Sequence, residues 1–142
     1  ISWHRHDEMW GQQHDCHVLD TGNILLFANG IHVPKGLFSS RVVEFDPETG
    51  DEVWSYQGSP PYTFFSPNIS GAQRLWSGNT LICEGLSGRI FEVTPDGEIV
   101  WEFISPWFGE GLGGRTNAVF RAYRYAPDSP QIRGRLGAPH GQ

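Results

Sequence analysis

The chain has 142 residues, 38% hydrophobic and 18% charged, which excludes a disordered polymer and allows one domain of ordinary size. Sixteen acidic residues against ten basic ones give a net charge of −6, with Lys35 the sole lysine and no basic run, so a nucleic-acid partner is not expected. No stretch of about 18 apolar residues occurs, so no transmembrane helix is expected either.

In chain order, residues 1–10 read as the last strand of a preceding unit, with Trp3 standing where Trp54 and Trp101 stand in the later units. The chain opens on Ile1 rather than Met, which we read as a processed or truncated product. Strands are expected at 16–19 and 24–28, joined by the Thr21-Gly22-Asn23 turn. A third is expected at 41–45 and a fourth at 52–56, across the Asp46-Pro47-Glu48-Thr49-Gly50 turn. A second set follows at 72–75, 80–84, 89–93 and 98–103, with Asp96-Gly97 as a tight-hairpin signal. Residues 117–125 (NAVFRAYRY) alternate like a first strand, and 126–142 form a Pro, Gly and Arg tail of loop or extended arm.

The second set repeats the first. The block from Leu19 to Phe27 matches that from Leu75 to Cys83, Arg41 to Pro47 matches Arg89 to Pro95, and Gly50 to Tyr56 matches Gly97 to Phe103. A repeat of about 40–50 residues built of four short strands is the pattern of a β-propeller blade. The expected fold is therefore all-β, a propeller fragment. It comprises two four-stranded blades (11–58 and 66–106), one strand of each neighbouring blade (1–10 and 117–125) and the tail. One sheet alone cannot bury both faces, so the remaining blades, on the same precursor or on other chains, are expected partners, and the isolated chain is expected to be oligomeric. Trp54 and Trp101 recur at one place in the fourth strands and read as packing between blades or at the rim. Cys16 and Cys83 lie in different repeats and read as buried free thiols.

Residues that build a repeat should recur, whereas residues that serve a site need not. Five of the six histidines fall in the first 32 residues. His14, Asp15 and His17 correspond to Ser70, Gly71 and Gln73 in the second repeat, so this set stands out as candidate machinery. It could make strand-end hydrogen bonds, supply a nucleophilic imidazole, or hold a metal ion. No cofactor is required by the pattern, and the metal alternative would use His4, His6, His14 and His17. Asn29 and Gly30 end a strand, where they read as a positive-φ turn or as binding residues, and Trp10 could stack on an aromatic ligand. The GEGLGG run at 109–114 lacks the ending of a phosphate loop.

Gln13-His14-Asp15, the run from Thr21 to Gly30, Ser40 to Asp46, and Gly71 to Leu75 with Gly78 to Ile82 resemble bacterial arylsulfotransferases and their propeller relatives, from about Trp3 to Tyr125. The resemblance implies a six-bladed propeller, periplasmic or secreted, that moves a sulfuryl group from an aryl sulfate to a phenol through a sulfurylated histidine. His14, after Gln13, matches the nucleophile, and Arg41 matches an arginine of the family, although its repeat partner Arg89 points to a structural role. His4, His6, Asp15, His17, Asn29 and Trp10 are the expected binding residues around it. Alternatively, the chain is a non-catalytic propeller module for binding or assembly.

Overall fold

The computed structural model describes residues 11–31, 38–111 and 113–135. The chain is all-β. Sheet I is an antiparallel meander of β1 (Gln13–Val18), β2 (Ile24–Ala28), β3 (Arg41–Phe45) and β4 (Glu52–Tyr56). Sheet II repeats it with β5 (Gly71–Arg74), β6 (Thr80–Glu84), β7 (Arg89–Val93) and β8 (Ile99–Ile104). A small hairpin of β9 (Gly109–Gly111) and β10 (Gly114–Thr116) follows, formed around the glycine-rich run at 109–114.

The core lies between the two sheets. Alternation along β2 and β3 sends Leu25, Phe27 and Val42 toward sheet II, where they meet Ala72, Ile82, Phe91 and Val93. Phe64, from the segment joining the sheets, is wedged edge-on against Phe27, Tyr56 and Phe91 at 5.4–5.8 Å between ring centroids. The opposite residues, Leu26, Ala28, Val43 and Phe45, are also buried, so β2 and β3 are apolar on both faces.

The turns follow their residues. The Asp46 carboxylate accepts the Glu48 N–H at 2.7 Å, and Gly50 takes the φ of 80° that closes the loop. Gly22 and Gly78 sit at φ 91° and 87° in the paired first hairpins.

A polar latch recurs with the sheets. In sheet I, Asn23 donates to Glu44 at 2.7 Å, and the other Glu44 oxygen accepts Arg74 from β5 at 2.6 Å. The Arg74 guanidinium lies 4.5 Å from the centre of the Trp54 ring. In sheet II, Asn79 donates to Glu92 at 2.7 Å, Arg124 pairs with Glu92, and its guanidinium lies 5.0 Å from the Trp101 ring centre. Each sheet is thus fastened by an arginine from the chain segment that follows it.

Two expectations change. The first strand begins at Gln13, not 16, because a bulge between His14 and His17 puts Asp15 at φ 52° and interrupts the alternation that marks a strand. Residues 117–125 carry no strand; they run beside β5, with the Ser70 N–H bonded to the Phe120 carbonyl and the Gln73 side chain bonded to both main-chain groups of Arg124. A single row of such bonds, shared with side chains, does not make a ladder. Within the tail, 127–135 winds into successive turns. The strand expected over 1–10 lies outside the described residues.

Candidate functional site

The non-recurring residues gather where β1 begins. The Asn29 carboxamide, fully buried, donates both of its N–H groups, to the Ser66 carbonyl at 2.8 Å and the Ile69 carbonyl at 3.1 Å. That fixes which way the amide points and leaves Oδ1 as an acceptor, 2.7 Å from His14 Nδ1. His14 must therefore carry a proton on Nδ1, and in the neutral ring Nε2 presents a lone pair. This half-buried ring has no further partner among the described residues. Ser40 completes the support, its hydroxyl bonding the Asn29 carbonyl at 3.0 Å and accepting the Ser66 N–H at 2.9 Å.

Asp15, next along the bulge, faces away from that pair. Its Oδ1 accepts the Tyr123 hydroxyl at 2.5 Å and lies 3.3 Å from the Arg121 guanidinium. Its Oδ2 is buried without a hydrogen-bond partner among the described residues and packs over the bare α-carbon of Gly71. Burial, and then the bond to Asp15, push the Tyr123 phenol above its ordinary pKa. The bonds to Tyr123 and Asp15 likewise raise the exposed Arg121 guanidinium. Arg121 occupies in its segment the place that Gly71 holds in β5 and Asp15 in β1, so one repeat position supplies three different residues to one cluster.

Between β1, β5 and this segment lies an open cleft of about 740 Å³, walled by Asp15, His17, Arg74, Trp76, Arg121 and Tyr123 among others. His17 is held by its Nδ1, 3.1 Å from the Asp15 carbonyl, so it too offers Nε2 as acceptor. Trp76 is exposed at the rim.

Of the residues expected from sequence, His14 and Asn29 are brought together, and Asp15 and His17 share the cleft. Arg41 stands two strands away on β3, bonded to Glu52 at 2.6 Å and Ser55 at 3.0 Å. Its counterpart Arg89 is held in the same manner by Glu102 and Glu84. His4, His6 and Trp10 lie outside the described residues. Among the described residues, no three His, Cys, Asp or Glu side chains are placed to hold a metal ion. Nor is any helix there long and apolar enough to cross a membrane. Cys83 is buried, and burial pushes its thiol up to about 12, whereas Cys16 is exposed, against expectation, because the bulge turns it outward.

Arg121 and Tyr123 were missed as site residues. The signal was present: superimposing 117–125 on the first strands of the two repeats puts Arg121 in the Asp15 slot.

No protein-family model matches the chain, and no curated protein matches it. Among solved structures it is similar to a protein of unknown function from Bacteroides caccae, at 14% identity and a TM-score of 0.48. The match covers 72% of this chain and 36% of that one, so the chain spans little more than a third of that protein's length.

Proposed function

We propose that the chain is part of a β-propeller of the arylsulfotransferase kind, periplasmic or secreted, in which His14 is the sulfuryl acceptor. The observation that carries this is the Asn29–His14 pair. Sulfuryl transfer to a histidine needs a neutral ring with one nitrogen bare, and Asn29 supplies that tautomer through a neutral acceptor. A carboxylate in the same place would tend to hold a second proton on the ring.

In the first step Nε2 attacks the sulfur of an aryl sulfate, the bond from sulfur to the phenolic oxygen breaks, and the phenolate leaves with its electron pair. The charge left on the imidazole is met by Asn29 Oδ1 at Nδ1–H. In the second step an acceptor phenol oxygen attacks the sulfur, the N–S bond breaks, and the acceptor's proton passes to water. The cleft lined by Trp76, Tyr123 and Arg121 does not include His14 and lies on the Asp15 side, so it takes no part in either step. Further sheets would supply the other groups around the sulfate.

The test is incubation of the chain with 4-nitrophenyl sulfate, followed by peptide mass mapping. Nitrophenol release with one SO₃ group on His14, absent in His14→Ala, is expected. A well-folded chain that never carries the group would turn the reading to a binding or assembly module, which the uncovered aromatic face of sheet II also favours.

A further inference from the structure

Sheet I is sealed on the side facing sheet II: Leu25, Phe27 and Val42 are 0% exposed and Tyr56 8%. The equivalent positions on the outward face of sheet II are Leu81, Cys83, Ile90 and Phe103. Leu81 and Cys83, on β6, are covered, the Cys83 thiol lying against the Val119 carbonyl. Ile90 and Phe103, on β7 and β8, are half-buried, and Trp101 beside them is 43% exposed. The cover over sheet II therefore stops at the segment 117–125.

That segment stands to sheet II as β5 stands to sheet I. Arg124 reaches back to Glu92 and lies over Trp101, as Arg74 reaches back to Glu44 and lies over Trp54. The correspondence breaks at one point. The Trp54 indole N–H donates to the Pro95 carbonyl at 2.7 Å, in the turn between β7 and β8. The Trp101 indole N–H has no such acceptor among the described residues.

We infer that the outward face of sheet II is the docking surface for a third four-stranded sheet of the same repeat. The segment 117–125, already lying beside β5 without a strand ladder, takes the place of its first strand. Its three remaining strands cover Ile90, Trp101 and Phe103, and its last turn presents a carbonyl to the Trp101 indole. A flat face flanked by a fastened first segment is a template for the rest of such a sheet. The inference rests on the repeat reading and is independent of the chemistry at His14. A second copy of the chain is a poorer occupant, because the far face of its sheet I is already buried through Leu26, Ala28, Val43 and Phe45.

The test supplies the missing strands in the full chain. A second copy of residues 76–107 is inserted after Tyr125, and Ile90→Cys is placed in the original repeat only. Alkylation of that cysteine by iodoacetamide is followed by peptide mass. The insert is expected to add strand by circular dichroism and to slow alkylation about tenfold or more. Trp101→Phe in the original repeat should then lower the Tm of the extended chain by more than that of the unextended chain. Alkylation at the unextended rate overturns the inference, whether the insert folds elsewhere or not at all, because the face is claimed to template it. Protection of the cysteine in the unextended chain that grows with protein concentration overturns it too, in favour of a second copy. Neither result touches the His14 reading, which is measured in the unextended chain by sulfurylation.

Discussion

Gly71→Ala is the substitution that most directly probes how the site is packed. A β-carbon at position 71 would stand 2.9 Å from the Asp15 Cγ and 3.0 Å from its Cβ, and closer still to Oδ2. The Asp15 side chain is only 6% exposed and cannot swing into water without giving up Tyr123 and Arg121. The methyl group therefore acts as overpacking, at about 1–3 kcal/mol. Asp15→Ala removes the carboxylate at a similar cost, since a hydrogen bond to a charged group contributes about 1.5–3 kcal/mol. The two changes should not add. With the carboxylate gone, the new methyl enters the space it filled, and the double variant should be about 1–2 kcal/mol more stable than the sum of the single losses predicts. Urea unfolding of all four chains, followed by tryptophan fluorescence, measures this. Additivity within about 0.5 kcal/mol would refute the claim that Asp15 rests on Gly71.

Asn29→Ala should lower stability by about 2–3 kcal/mol in urea titrations, because it strips one buried and two part-buried hydrogen bonds at once, and should reduce sulfurylation of His14 in parallel. Trp54→Phe should lower stability by about 1 kcal/mol through loss of the bond to Pro95, measured by calorimetry, while Trp101→Phe in the unextended chain lowers it by less. The folded Cys83 thiol, pushed up to about 12, keeps its proton where the unfolded chain has lost it. Stability from this group is full below about pH 9 and falls as pH rises toward about 12, by about 1.4 kcal/mol per unit. Cys83→Ala should flatten that alkaline slope in unfolding measured between pH 9 and 11.

All eight expected repeat strands were legible, the first with its start placed three residues late, because their signals are local. Gly22 and Gly78, Asp46 and Asp96 sit in turns that need those residue types, and apolar residues alternate between them. The bulge at Asp15 was not legible, since a non-glycine residue at φ 52° leaves no mark in a single sequence. Residues 117–125 were readable as a repeat of the first strands. Whether they form a ladder depends on the strands beside them, which no local pattern encodes. At the site, His14 stood out because the second repeat has serine there. Its partnership with Asn29 was hidden, because it depends on where Ser66 and Ile69 place their carbonyls. Arg41, read from a short word, is held by strand partners, as its counterpart Arg89 is in the second repeat.

The arginine latches also set an order of events during synthesis. Glu44 finds its partner 30 residues downstream, and Glu92 waits 32 residues for Arg124. A nascent chain that has just emitted four strands still carries an unpaired carboxylate and an uncapped indole. It becomes secure only when the ribosome has delivered the beginning of the next unit. Maturation of such a protein advances from its amino end in steps, each about one repeat behind translation, and the most recently made unit is always the most vulnerable to proteases.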